Sequence, residues 1–399
     1  MKRKRVLLCW PESPQRYERL KAFIDISEEI EFIHLFFRTP EERLEAYSPF
    51  RMIYWFDYKS PYALLNDIQP EKVVMGNVDD LLAISLVAAC KRRGITTYGM
   101  QHGYITENIR DIHIETTRKG LSNAETWKRY FKILRFYFAS IKGLNISRFS
   151  QYNKFMYRYF RKGPMRTLSS FNYEWRKADF FICFTRYSGK FYLDRDQLPP
   201  ERILEIGIPF FDTFFRIMED GDKHGAVSSQ KPYYILIDTA FMEVKNKVSA
   251  QDIRRCYQEL AAYCKTRGAE LKVKLHPHNY FNEKLPVIPG VEYIKNLPDA
   301  DLAKLISGSQ ACFGFYSTLC MPVVFYKKLC QINKNDVYFK EMVEKGITPV
   351  IDFDTFKADD ITIDEFQVNK QALQELLEKY LYKTDGKASE RIKAILIGN

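Results

Sequence analysis

Short, unbroken apolar runs alternate with longer amphipathic segments twice along this 399-residue chain, and that rhythm limits the fold more than any other feature. In the first half, strands are predicted at 6–10, 31–37, 72–76 and 96–100. Helices are predicted at 16–24 and 79–93, with Gly94 closing the second as its C-cap. Strands that are apolar throughout, with no polar alternation, belong to parallel sheets covered on both faces. The rhythm breaks near residue 116, where an aromatic and basic region at 120–175 begins, and strands return at 179–185 and 202–208. A polar stretch at 219–231, with two glycines and two serines, reads as a linker. The alternation then restarts, with strands at 233–237, 270–275, 291–294, 311–315 and 329–332. Helices are expected at 250–267 (capped by Gly268), at 301–306, from the 311–315 strand to 328, and at 370–380 and 389–397. The expected organisation is an N-terminal Rossmann-like domain at 1–218 with an insert at about 120–175, and a linker at 219–231. A second Rossmann-like domain at 232–385 and a C-terminal helix at 386–399 complete it.

Composition supports two cores. The chain is long for a single core, and 46 % hydrophobic with 15 % aromatic residues excludes global disorder. Eight cysteines are scattered, none in a C-x-x-C pair, and most lie in apolar runs. They imply a reduced, cytoplasmic protein with no disulfide framework and no metal site. The basic start, Met1 to Arg5, leads into only five apolar residues, too few for a signal-peptide core, so a first strand is expected. No segment approaches the apolar length of a membrane span.

The polar ends of predicted strands hold the candidate chemistry. Lys274-Leu275-His276-Pro277-His278 ends one strand of the second half. Pro277 would stop that strand and hold His276 at the sheet's carboxyl edge, where an imidazole can donate to a phosphate oxygen or protonate a leaving group. A histidine satisfied in a turn is the plainer reading. Ser317 and Thr318 sit between a strand and a helix, where hydroxyls and free backbone N–H groups make an anion site, although an ordinary N-cap uses the same residues. Gly314 before them allows a close approach by a ligand or by neighbouring backbone. In the first half, Gln101-His102-Gly103 ends a strand, and His102 has Glu107 and Asp111 nearby as orienting or alternative acid–base groups. Asp79 opens a helix together with Asp80, either as a base at a sheet edge or as a cap and dipole partner. Polar strand ends in two α/β halves point to a cleft enzyme handling a nucleotide-activated donor.

The net charge of +11 is concentrated in the insert: residues 126–173 hold eleven Lys or Arg and no acid. On a helical wheel, Trp127, Tyr130, Phe131, Leu134, Phe138 and Ile141 share one arc, with Phe136 and Ile133 as exceptions. Lys128, Arg129, Lys132 and Arg135 lie opposite. A second set places Tyr152, Phe155, Met156, Tyr159 and Phe160 against Lys154, Arg158, Arg161 and Lys162. Two basic amphipathic helices of this kind can lie on an anionic membrane or hold an anionic acceptor; packed on their own protein, they would show solvent a basic face. Nucleic acid is not an expected partner, because no recognised binding motif accompanies the charge.

Together these residues resemble bacterial glycosyltransferases of GT-B architecture. The nearest resemblance is to the sialyltransferase, polysialyltransferase and Kdo-transferase group of capsule and lipopolysaccharide synthesis. CDP-glycerol glycerophosphotransferases look similar in outline. His276-Pro277 matches that group's HP motif and Ser317-Thr318 its serine–serine/threonine motif. The resemblance implies that both bind the CMP part of a donor. Gln101-His102-Gly103 is similar to a QHG element of capsule-type transferases, and Gly207-Ile208-Pro209 with Asp212 is similar to a G-x-P-x-x-D segment entering the interdomain linker. No acidic-acidic-Gly base motif is present, since Leu81 follows Asp79-Asp80, and the Ser-Gly-Gly phosphate loop of GT-B epimerases is absent.

The resemblance therefore implies an α/β GT-B-like fold, with two doubly wound domains facing a cleft and a helical basic-aromatic insert in the first. The expected activity is metal-independent transfer from a nucleotide sugar, which is a substrate and not a cofactor, to a glycan or lipid-linked glycan acceptor. The enzyme would sit on the anionic inner face of the cytoplasmic membrane. A CDP-polyol phosphotransferase and a non-catalytic scaffold of a polysaccharide assembly are the alternatives.

Overall fold

The apolar runs become strands of two separate parallel sheets. The computed structural model describes residues 3–10, 20–37, 48–76, 78–101, 124–141, 146–224, 231–239, 248–276, 285–315, 317–334 and 340–398. The chain divides into two units, Met1–Phe210 with Lys387–Asn399, and Phe211–Gly386.

In chain order the first unit contains β1 (Lys4–Cys9), α1 (Lys21–Ile24), β2 (Ile30–Phe36), β3 (Arg51–Tyr54), α2 (Pro61–Ile68), β4 (Lys72–Met75), α3 (Leu81–Arg92) and β5 (Thr96–Met100). It continues with α4 (Ala124–Ile141), α5 (Ile146–Lys162), α6 (Pro164–Ser170), β6 (Phe180–Cys183), α7 (Arg186–Asp196) and β7 (Ile203–Glu205). The sheet order is β3-β2-β1-β4-β5-β6-β7, and every pairing is parallel. Successive side chains of a strand point to opposite faces. Leu7, Cys9, Val73 and Met75 accordingly join one core, and Val6, Leu8 and Val74 join another.

Helix α3 explains the insert. Every residue from Leu81 to Cys90 is buried, Ser85 included, whose hydroxyl donates to the Leu81 carbonyl inside the helix. A helix that is apolar all round needs cover on both sides. The sheet covers one side. Phe136, Tyr137 and Ile141 of α4 and Tyr152 and Phe155 of α5 join the same core. The buried face of α4 thus centres on Phe136, an exception on the predicted wheel, while Phe131 and Phe138 of the predicted apolar arc are exposed. For Phe131 and Phe138 that assignment is corrected, while Leu134 and Ile141 of the same arc do pack on the core: demand from α3 selects the packed face.

The second unit contains α8 (Asp212–His224), β8 (Tyr233–Ile237), α9 (Ala250–Thr266), β9 (Glu270–Lys274), β10 (Val291–Ile294), α10 (Asp299–Ser307), β11 (Cys312–Gly314) and α11 (Cys320–Val323). β12 (Leu329–Asn333), α12 (Lys340–Glu344), β13 (Val350–Asp352) and α13 (Lys370–Tyr380) follow. Its order, β10-β9-β8-β11-β12-β13, is again parallel throughout. In each sheet the chain builds outward from one central strand, then returns to that strand's other side. These are the doubly wound orders whose switch points, β1/β4 and β8/β11, place ligands beyond the carboxyl ends of the strands.

The structure differs from the sequence reading in other places. β3, α2, α6, α7, α12 and β13 have no counterpart there. β3 and β13 are edge strands with exposed positions, so they lack an unbroken apolar run. The predicted linker begins inside a helix: α8 extends to His224 because Phe214, Phe215 and Met218 supply it with a buried face, while residues 225–230 lie outside the described set. The helix expected to reach 328 is only the four residues of α11 followed by turns. Pro322 has no N–H to continue the ladder, and the Thr318 carbonyl instead accepts from Met321 N at 3.2 Å.

The last helix, α14 (Ala388–Ile397), belongs to the first unit. Lys4 Nζ donates to the Ile397 carbonyl at 2.6 Å, and Lys72 Nζ donates to Ile395 O at 3.1 Å and to Gly398 O. Two ammonium groups therefore cap the carbonyl end of this helix. Gly386, just before it, has φ +65°, and a Cβ there would stand 2.8 Å from the Asp212 carbonyl, so only glycine fits where the chain leaves the second unit.

Candidate functional site

At the carboxyl edge of the second sheet, three strand exits carry the expected residues. β9 ends in Lys274, Leu275 and His276; β11 ends in Gly314 and leads to Ser317 and Thr318; β8 ends in Ile237 and Asp238. Asp238 is the residue missed from the sequence. It is buried, its N–H donates to Lys274 O at 3.0 Å, and its carboxylate accepts from His276 N at 3.4 Å and from the Tyr257 hydroxyl at 3.1 Å. Burial and then the Asp238 charge raise the Tyr257 phenol well above its ordinary range. One carboxylate thus ties the exits of β8 and β9 to α9 and directs the chain at His276. The available signal was an acid directly after an apolar run.

Lys274 and His276 are half-buried, as is Ser317, and Thr318 is exposed. The Ser317 hydroxyl accepts from Leu319 N at 3.3 Å. Burial pushes the Cys320 thiol up to about 12, and among the smaller influences the Lys274 charge opposes that rise, so the ammonium acts on the turn that carries Ser317 and Thr318. Gly314 serves the interior: a Cβ there would run into Cys320 Sγ and come within 3.2 Å of Leu329 Cδ1. Its smallness lets the turn close on the strand. Pro277 and His278 lie outside the described residues. Beside α9, a depression of about 940 Å3 is lined by Gln251, Arg254, Gln258, Leu285, Pro286 and Val287.

The carboxyl edge of the first sheet is organised differently. Asp80 is the N-cap of α3, accepting from Ala83 N at 2.8 Å. Asp79 follows β4 with its side chain 30 % exposed, and its Oδ2 lies 3.9 Å from Arg195 Nη1. Arg195 is buried, and its Nη1 has no hydrogen-bond partner among the described residues. Its other nitrogens bind Asp196 at 3.1 and 2.7 Å, and Asp196 also accepts from Arg176 at 2.7 Å. Two interior guanidiniums therefore share one interior carboxylate, with Asp79 as the second acid nearby. Gln101 is fully buried: its Oε1 accepts from Phe184 N at 3.0 Å and from the Ser188 hydroxyl at 3.2 Å, and its Nε2 donates to Ser188 O at 3.3 Å. It joins β5 to the capping box of α7. His102, Glu107 and Asp111 lie outside the described residues. His34 on β2 is also buried, with Nε2 against Trp10 O at 3.1 Å and Nδ1 against Ser48 Oγ at 2.9 Å. Burial lowers it to about 4, so the ring is neutral, donating to the carbonyl and accepting from the serine.

On the insert, Lys132 is used internally, over the Phe56 ring at 3.2 Å and donating to the Phe56 carbonyl. Its expected surface contact is corrected accordingly. Arg135, Lys154, Arg158, Arg161 and Lys162 are exposed, and the side chains of Lys128 and Arg129 lie outside the described set. The Tyr159 hydroxyl donates to the Asp79 carbonyl at 3.4 Å, linking α5 to the β4 exit. All eight cysteines are buried and free. Among the described residues no group of three or more His, Cys, Asp or Glu is placed to hold a metal.

No family model matches the sequence, and no curated protein matches it. Solved structures do. A glycosyltransferase of kitacinnamycin is similar at a TM-score of 0.52 and 12 % identity, over 99 % of this chain and 100 % of that one. UDP-GlcNAc 2-epimerase from Neisseria meningitidis, solved with UDP-GlcNAc bound, is similar at 0.51 and 12 % identity, over 99 % and 100 %. A putative UDP-N-acetylglucosamine 2-epimerase from Listeria monocytogenes is similar at 0.51 and 11 % identity, over 99 % and 96 %. The chain has a GT-B-like fold of two Rossmann-like domains. At these identities the likeness speaks for the fold and not for a reaction.

Proposed function

We propose that the chain is a glycosyltransferase that moves a sugar from a nucleotide-activated donor, of the CMP-linked sialic acid or Kdo type, to a bacterial surface glycan, with a glycan or a lipid-linked glycan as the acceptor. The observation that carries this reading is the gathering of Lys274, His276, Ser317 and Thr318 at the exits of β9 and β11, flanking the switch point of the second sheet. Phosphate-bearing ligands bind at such edges in doubly wound sheets. Among these residues the Lys274 ammonium would offset the phosphate charge, and the two hydroxyls and the imidazole would donate to its oxygens.

In the transfer, a base takes the proton of the acceptor hydroxyl and that oxygen bonds to the anomeric carbon. The bond from that carbon to the phosphate oxygen breaks, and its electrons leave with the nucleotide. The second sheet's edge stabilises the departing phosphate without a divalent ion. Asp79, His102, Glu107 and Asp111 are the candidate bases, all following strands of the first sheet. The nucleotide sugar is consumed as a substrate, and the reaction takes place on the inner face of the cytoplasmic membrane.

A thermal-shift panel with CMP, CDP, UDP, UMP, GDP and ADP tests the reading. A nucleotide at about 100 times its Kd adds about 2.7 kcal/mol of stability. Selective stabilisation by CMP is expected. CDP would indicate polyol phosphate transfer, and UDP or GDP a hexose donor. No stabilisation by any nucleotide would favour the scaffold.

A further inference from the structure

Seven large apolar side chains are exposed among the described residues, and four of them are aromatics on the two insert helices: Phe131 (67 %), Phe138 (43 %), Tyr157 (64 %) and Phe160 (48 %). Their clustering is not the scatter expected of a soluble surface. On α4, Phe131, Arg135 and Phe138 stand at i, i+4 and i+7, which is one stripe of a helix. On α5, Lys154, Tyr157, Arg158 and Arg161 form another, with Phe160 and Lys162 beside it. The opposite sides of both helices are held in the core by Phe136, Tyr137, Tyr152 and Phe155, so the outward stripes are fixed by packing. Arg161 donates to the Tyr157 hydroxyl one turn back, which pairs a cation with an exposed aromatic.

We propose that these two outward stripes are a docking face for an anionic lipid bilayer, with the four aromatics entering the headgroup layer and the basic side chains meeting lipid phosphates. Charge selects the occupant, because residues 126–173 contain no acid. A second copy of this chain would present like charge. A protein-facing patch tends to lose its lysines, whereas a membrane-facing one combines Lys and Arg with aromatic rings at headgroup level. Through Tyr159 and the Asp79 carbonyl, the same helix that carries one stripe is joined to the carboxyl edge of the first sheet. A lipid carrier docked there would bring its glycan toward Asp79, the described one of the candidate bases. The inference shares only the membrane location with the proposed function, and its test needs neither donor nor acceptor. A failure of vesicle binding would remove that location and leave the transfer itself, which the nucleotide panel reads, standing.

The test is sedimentation of the full chain with extruded vesicles, either phosphatidylcholine alone or three parts phosphatidylcholine to one part phosphatidylglycerol. Binding is expected only to the anionic vesicles, weakening as salt rises. Each basic residue at the surface contributes about fivefold. Replacing Arg135, Lys154, Arg158, Arg161 and Lys162 by Gln together should lower partitioning on the order of a thousandfold. Replacing Phe131, Phe138, Tyr157 and Phe160 by Ala should lower it by about tenfold or more while leaving the salt dependence in place. Both variants alter exposed positions, and unchanged thermal melts confirm that they fold. Wild-type binding by either variant overturns the proposal, as does an absence of sedimentation by the parent chain. A short DNA duplex that displaces the chain from vesicles and binds it as tightly would reassign the face to nucleic acid.

Discussion

The two sheets share a winding scheme but use their carboxyl edges in opposite ways. In the second sheet, Lys274, His276, Ser317 and Thr318 are exposed or half-buried, and the buried Asp238 holds the exit of β9, with His276, in place. In the first sheet, the described polar groups are mostly occupied by the fold itself. Gln101 bridges β5 to α7, His34 ties Trp10 to Ser48, Asp80 caps α3, and Asp79 faces the interior Arg195. A polar residue at a strand end is therefore a weak pointer to a ligand until its hydrogen bonds are counted. The same residue types serve as staples in one unit and remain accessible in the other.

The largest effect expected from breaking this contrast is at Asp196. Asp196→Asn removes the only carboxylate among the described residues that is directly bonded to both Arg176 and Arg195, and leaves two interior cations. Removing one partner of a buried pair costs about 3–5 kcal/mol. Urea unfolding should show a loss of that size. A loss under about 1 kcal/mol would mean that Asp79 already neutralises Arg195, and the first edge would then be less committed to structure than argued.

Next in size is a pH effect at His34. Its folded value, about 4, is below the ordinary 6.5, so the unfolded chain binds the extra proton between those values. The stabilising contribution is complete above about pH 6.5 and is lost as pH falls toward 4, amounting to about 3 kcal/mol. His34→Gln should remove this part of the acid sensitivity, read as the difference between the two unfolding curves from pH 7 to 4. Parallel curves would show that the ring is not held neutral.

Much of the fold was legible because continuous apolar strands announce a parallel sheet, and nearly every interior strand falls where such a run occurs. What was not legible depended on partners distant in sequence. The packed face of α4 is set by α3, buried throughout Leu81–Cys90, and the wheel of α4 alone places Leu134 and Ile141 correctly but counts Phe131 and Phe138 as packed and leaves out Phe136. The return of α14 to the first unit rests on Ile392 and Leu396 entering that unit's core and on Lys4 and Lys72, more than 300 residues away. At the candidate site, Lys274, His276, Ser317 and Thr318 could be placed on one edge from strand pattern alone. For Asp238 the sequence offers only an acid directly after an apolar run, and its role is visible in the N–H and hydroxyl groups that converge on it.

The smallest effect sharpens the comparison most, because it sets one residue from each edge side by side. Gln101→Leu leaves the buried N–H of Phe184 without its acceptor and should cost about 1–3 kcal/mol in urea unfolding. Thr318→Ala alters an exposed hydroxyl and should change stability by less than about 0.5 kcal/mol. Nucleotide affinity should respond the other way. Calorimetric titration with the nucleotide selected by the stabilisation panel should show Thr318→Ala weakening binding by about tenfold, the loss of one hydrogen bond to a charged group. Gln101→Leu should leave that affinity unchanged at a temperature where the variant is folded, since Gln101 lies in the other unit. If Gln101→Leu weakened nucleotide binding while Thr318→Ala did not, the donor would belong to the first sheet, and the division between a structural and an accessible edge would be reversed.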